Sequence, residues 1–251
     1  MRLDFSAGTD TSSPTTMNLP HLLACACLLG LASPSFAESP APKETPLFVT
    51  ASKEDDRMDE RIFPLGWSAD GKFAWLSRKV EEASDEGLWG LSILDTATNK
   101  VIEAVPYTLP DKPGDAVGRF WAKHGKAIQE VLTKHGIKLS RPVLDHLPLI
   151  LGRRRNYVVM ADLTLDEQKD DLAYLGVKRF KVNLRLGETK SVLLEKSYEQ
   201  FFPFSVALAG CYHSPDEKYA VLVITALRRG WEGAPHPRMV ETMAGFQLEE
   251  P

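Results

Sequence analysis

Cysteine is scarce in this sequence of 251 residues, occurring only at Cys25, Cys27 and Cys211. The first two lie in an apolar segment near the start, so a chain trimmed after that segment keeps only Cys211. A lone cysteine forms no internal disulfide, and no thiolate pair with metal-ligand spacing remains. A basic excess is also lacking: the net charge is -4 and the pI near 5.9. That balance gives no global attraction to a phosphate backbone and disfavours a nucleic-acid binder. No apolar run reaches the roughly 20 residues a helix needs to cross a bilayer. P-loop, GxGxxG, HExxH and EF-hand patterns are missing, which closes several common catalytic routes and implies no cofactor and no metal.

What is present is globular: 43% apolar and 25% charged residues, enough for one large core or two small ones. Residues 1–37 read as a signal peptide, taken out of the fold argument. The apolar run Leu22 to Ala32 is followed by Ser33-Pro34-Ser35-Phe36-Ala37, with small residues at the positions a signal peptidase reads, which places cleavage before Glu38. Only Arg2 supplies basic charge ahead of the run, so Met17 is an alternative start. A buried helix and a lipid anchor at Cys25 are the competing readings. The mature chain is expected to be periplasmic or secreted, without a transmembrane anchor.

Residues 38–61, rich in Pro and charge, predict a solvated linker. Residues 62–246 then predict a single α+β domain, mainly antiparallel β, with one long amphipathic helix inserted. In the first block Asp70-Gly71 is a hairpin turn, because Gly tolerates positive φ and Asp bonds the backbone ahead of it. Phe73 and Trp75 alternate onto one face of the next strand, and two more strands complete a meander. A helix follows from a cap at Asp115 to about His135, stopped by Gly136, with Val117, Trp121, Ile128, Val131 and Leu132 on one stripe. The third block returns to strands from Tyr157 to Phe246. Within it Thr164 to Glu167 has the form of a capping box, serving either a short helix to Tyr174 or a loop.

Several constellations invite chemistry. His124 and His135 fall on one helical face but about 16 Å apart, too far for one metal ion, so they read as structural. Ser68 lacks the following glycine and strand-to-helix turn of a nucleophile elbow. Asp85, Glu86 and Asp95 fall short of the oxygen set that Ca²⁺ takes, and Arg153 to Arg155 reads as a guarded sheet edge. The loop between the last two strands holds Arg228, Arg229, Trp231, Glu232, His236 and Arg238. Arginine forks beside an aromatic fit either a clamp for a carboxylate, phosphate or partner peptide, or an internal cluster pinning the loop.

The stretch "GWSADGKFAWLS" at residues 66 to 77 returns as "YHSPDEKYAVLV" at 212 to 223, with Asp216 in the second turn. This pattern resembles the blades of WD-type and periplasmic β-propellers, although two copies 146 residues apart do not make a closed propeller. The chain also resembles the uncharacterised family of bacterial predicted secreted proteins. Ser68, Asp70 and Gly71, then Ser214, Pro215 and Asp216, then Gly230, Trp231, Glu232 and Gly233 carry that resemblance, which implies an exported location and a strand topology but no activity. The expected role is a non-enzymatic binding or interaction module of the cell envelope, engaging an envelope protein or a small anionic ligand. The alternatives are a periplasmic hydrolase using Asp and His residues, His213 or His236 among them, and a structural accessory subunit.

Overall fold

A computed structural model of the chain describes residues 40–45, 59–80, 86–110, 116–152, 158–169, 174–230 and 236–248. The signal-peptide segment, Asp115 and Arg153 to Arg155 lie outside them. The described residues form mostly antiparallel β structure with one helix, three sheets being stacked face to face and no closed propeller being formed.

The first sheet is a meander of β1 (Arg61–Ser68), β2 (Lys72–Val80), β3 (Glu86–Asp95) and β4 (Lys100–Pro110), with the short β5 (Ile137–Leu139) added beside β1. The helix α1 (Ala116–Lys134) lies on one face of it. At 19 residues α1 is shorter than the expected 115–135 span. It buries Phe120, Trp121, Ile128 and Leu132 against Phe63, Leu65, Trp89 and Ile93. The Phe120 ring stacks on Trp89 with centroids 4.1 Å apart. Each such fully buried side chain contributes about 1.5–3 kcal/mol. The helix stops at Gly136, whose φ of 66 suits a residue without Cβ.

The middle sheet comprises β10 (Ser205–His213), β11 (Tyr219–Leu227) and β12 (Arg238–Gln247). The outer sheet comprises β6 (Leu149–Ile150), β7 (Val158–Lys169), β8 (Leu175–Leu186) and β9 (Thr189–Ser197). β11 is the axis of the stack, which explains its unbroken apolar run from Ala220 to Ile224. Val221 and Val223 pack towards Phe73 and Trp75 of the first sheet. Ala220, Leu222, Ile224 and Ala226 pack towards Val177, Phe180 and Val182 of the outer sheet. A strand buried on both faces has no polar side to alternate.

Bulges adjust which side chains reach which layer. In β1 the register slips between Pro64 and Gly66, and in β10 between Leu208 and Gly210. One extra residue reverses the in–out parity of a strand. Trp67 and Tyr212 are thereby turned into the layer between the first and middle sheets, where both pack around Phe73.

The segment 137–150 laces the sheet edges together. It pairs with β1 through β5, exchanges reciprocal backbone bonds of 2.9 Å between Asp145 and Cys211 on β10, and pairs with β7 through β6. This stretch of chain is thus hydrogen-bonded to every layer of the β stack.

Two local expectations change. The capping-box stretch is strand: β7 continues through Lys169, and Thr164 accepts a cross-strand bond from Asn183 Nδ2 at 3.2 Å instead of capping a helix. Pairing with β8 along the whole stretch from Val159 to Lys169 supplies many ladder bonds, which outweighs a local cap. The end of the charged linker is not solvated either, for Asp59 and Glu60 are 4% and 5% exposed. Thr45 also donates its N–H to Ile62 O at 2.8 Å.

Candidate functional site

The loop joining β11 to β12 sits where the middle sheet meets the outer one. In β12 the register slips so that Glu241 has no partner on β11, Ile224 facing Thr242 and Thr225 facing Val240. A bulge re-aims the extra side chain. The Glu241 side chain, 1% exposed, is turned to Lys196 Nζ at the end of β9, 2.5 Å away, and to Arg228 Nη2, also 2.5 Å away. Arg228 and Lys196 both lie over the Tyr198 ring, at 5.4 and 5.5 Å from its centroid. Burial acts to raise the Glu241 pKa, but hydrogen bonding to Lys196 and Arg228, with the nearby Tyr198 hydroxyl and the Arg228 charge, outweighs it and holds the carboxyl below its ordinary value. Burial, then the neighbouring Glu241 carboxylate, push the Tyr198 phenol far up.

Arg238 is committed in the same way. Its guanidinium pairs with Asp59 Oδ2, and its N–H donates to Asp59 Oδ1 at 2.9 Å. The adjacent Glu60 accepts from Val240 N–H at 2.8 Å and faces Lys79 Nζ at 3.7 Å. Burial is the largest influence on Glu60 and leaves its pKa raised despite Lys79. Asp59 and Glu60 therefore clamp the start of the first sheet to β12. For Arg228 or Arg238 to fork an incoming anion, each has to give up a buried carboxylate, which is costly. Of the six candidate loop residues, Trp231 and Glu232 lie outside the described residues.

Arg229 and His236 face a different environment. The Arg229 guanidinium rests 3.9 Å from the centroid of Tyr174 and 5.9 Å from that of Phe204. Its Nη2 is buried without a hydrogen-bond partner among the described residues. His236 packs on Phe204 with centroids 4.8 Å apart, and its Nδ1 accepts from Gly230 N–H at 3.3 Å. Three residues before Phe204 the chain holds Phe201 at φ 53 and 71% exposed. Tyr174 and Leu175 are 53% and 57% exposed at the start of β8. The segment carrying Phe201 is fixed there by Val177 N–H to Pro203 O and Phe204 N–H to Leu227 O, both 2.8 Å. Tyr174, Phe204, Arg229 and His236 form an aromatic shelf with one cation, and the exposed Leu175 and Phe201 are its near neighbours in the sequence.

The remaining candidates are structural in geometry. His213 Nε2 is 3.3 Å from Asp145 Oδ2, and its Nδ1 is 3.0 Å from Ser214 O. Both ring nitrogens thus face acceptors, and neither faces a nucleophile, as a general base requires. The pair clips the lacing segment to β10. Because both side chains are about a third exposed, Asp145→Asn is expected to change unfolding free energy by less than about 1 kcal/mol, measurable by urea titration.

His124 packs against Tyr107 and Phe120, and burial, followed by Lys123, lowers its pKa. His135 Nε2 pairs with Glu103 at 3.0 Å. Ser68 Oγ donates to Asp70 and accepts from Lys72 N–H inside its turn. Among the described residues no three His, Cys, Asp or Glu converge as a metal set, and no helix is long and apolar enough to cross a membrane.

No family model, curated protein or solved structure matches the chain. Tyr174, Phe201 and Phe204 escape a reading based on strand alternation and motifs. Their available signal is aromatic density, since Tyr198, Phe201, Phe202 and Phe204 fall within seven residues around a proline.

Proposed function

We propose that this is an exported, non-enzymatic binding module of the cell envelope, and that it holds an envelope protein on the aromatic shelf. The export half of this reading rests on the leader-like segment at residues 1–37. The observation that carries the binding half is Phe201. A bulky residue in the left-handed region costs roughly 1–2 kcal/mol, yet here the conformation presents an aromatic ring to solvent rather than to a core. Backbone strain at an exposed aromatic marks a site that the fold spends stability to display.

An aromatic anchor beside an arginine is the composition of an interface hot spot. Arg229 carries the cation of the shelf, while Arg228 and Arg238 serve the clamps that hold its base. The partner is therefore expected to insert an apolar side chain beside Phe201 and to set a carboxylate or carbonyl against Arg229.

A photo-reactive residue placed at position 201 is expected to cross-link one envelope protein in intact cells, and the adduct to disappear when Arg229→Ala and Tyr174→Ala are combined with it. The same probe at Glu188, on the β8–β9 turn, is the control. Equal labelling from both positions, or an adduct indifferent to the two alanines, contradicts the assignment.

A further inference from the structure

Of the three arginines that border the loop between β11 and β12, two have their counter-charge inside the protein. Arg228 meets Glu241 and Arg238 meets Asp59, both carboxylates being almost fully buried. Arg229 meets neither, and among the described residues it has no hydrogen bond or ion pair. It is partly buried, its Nη2 is shut off from water, and its guanidinium lies against Tyr174 and Phe204. Ring faces offset part of the cost of drying a cation. A partly desolvated charge without an anion remains expensive. What satisfies its two neighbours is a carboxylate, and no described residue brings one to Arg229.

His236 adds a donor to the same surface. Its Nδ1 accepts the Gly230 N–H at 3.3 Å, so in the neutral ring the proton sits on Nε2, where no described residue accepts it. The imidazole rests on Phe204 at 4.8 Å between centroids, and the Arg229 guanidinium reaches the same ring at 5.9 Å. Tyr174 meets Phe204 edge-on at 6.3 Å. The shelf therefore offers a guanidinium, an imidazole N–H and two rings, with no acidic side chain of its own among the described residues.

We infer that the shelf receives the C-terminal residue of its protein partner, with the free α-carboxylate on Arg229 and His236 and the apolar side chain on Tyr174 and Phe204. The inference rests on the shelf being the binding site proposed above, and it names what the partner presents there. An amide carbonyl carries only a partial charge and leaves the guanidinium uncompensated, whereas a carboxylate neutralises it and accepts its hydrogen bonds. The guanidinium lies 3.9 Å from one ring centroid and 5.9 Å from the other. The charge and the apolar group of the ligand must therefore sit within a few bonds of each other. In a terminal residue the carboxylate and the side chain leave the same Cα. An Asp or Glu side chain ends in its carboxylate and has to borrow the apolar group from another residue.

The test is calorimetric titration of the full chain with a short peptide ending in phenylalanine, prepared with a free C-terminus, with a C-terminal amide, and as an amide with Glu before the phenylalanine. Wild type is expected to bind the free acid roughly 10–100-fold more tightly than the plain amide, the range that hydrogen bonds to a charged group span. Arg229→Gln is expected to erase that preference while leaving the affinity for the amide unchanged, which also shows that the shelf is still folded. Tyr174→Ala is expected to weaken acid and amide alike. Equal binding of acid and amide by wild type overturns the inference, as does a preference that survives Arg229→Gln. Binding of the Glu-bearing amide as tightly as the acid overturns it in favour of a side-chain carboxylate, and failure of the acid to bind overturns it outright. Where the cross-link from position 201 still forms, these results remove the terminal carboxylate alone; where the cross-link is absent too, the shelf reading falls with it.

Discussion

Glu241→Gln is expected to lower the unfolding free energy by about 3 kcal/mol at neutral pH. Removing one member of a buried ion pair costs about 3–5 kcal/mol, because the partner charge stays desolvated. The low end applies here, since Lys196 and Arg228 are 38% and 31% exposed and recover some hydration. The pH dependence has a definite sign. The folded pKa of Glu241 lies below its ordinary value, so its stabilisation is complete above the unfolded carboxyl pKa and is lost as pH falls through the lower, folded one. Urea titrations at a series of pH values are therefore expected to show a gap between wild type and Glu241→Gln that is constant above about pH 5 and closes in acid. A gap independent of pH means that the glutamine fails for reasons of packing and not of charge. Replacing Glu241, Lys196 and Arg228 together by Leu and Met is expected to recover most of the loss, as buried ionic clusters exchanged for well-packed apolar groups often do.

That cluster also shows where sequence reasoning stops. Strand positions were legible because Phe73 and Trp75, or Val221 and Val223, alternate or run on in ways only a buried strand tolerates. The helix was legible from its stripe and its glycine stop. The mutual order of the sheets was not, because nothing local tells that β10–β12, last in the chain, lie between the first sheet and β6–β9. The fate of the charges depended on that order. Asp59 and Glu60 read as part of a solvated run, and only the packing of β12 against the start of β1 buries them. Arg228, Arg229 and Arg238 looked alike in one loop. A bulge at Glu241 and the approach of Asp59 engage two of them and leave the third over Tyr174. A bulge is one residue of slippage between strands far apart in sequence, so neither strand alone announces it.

Gly71→Ala is expected to destabilise by about 3 kcal/mol, because the first of the two matching turns is packed closely at its positive-φ position. The two turns are built alike: the serine hydroxyl donates to the aspartate two residues on at 2.6 Å in both, and accepts the lysine N–H at 2.8 Å in the first and 3.1 Å in the second. Both need positive φ at the next position, 87 at Gly71 and 57 at Glu217. They differ in what lies alongside. A Cβ on Gly71 meets the Tyr219 ring at 2.6 Å and Thr96 Oγ1 at 2.8 Å, and Thr96 already donates that hydroxyl to Gly71 O at 2.7 Å. The first turn is thus wedged against the strand that leaves the second, where the first and middle sheets touch. An alanine at 71 incurs about 1–2 kcal/mol for its backbone and about 1–3 for overpacking, whereas at 217 the fold already accommodates a buried side chain. Thermal melts are the check, with a fall of roughly 6–12 °C for Gly71→Ala at this size. A mild Gly71→Ala means that the sheets do not meet through this turn; a severe one means that the first hairpin's turn is held against Tyr219, where the second hairpin's returning strand begins.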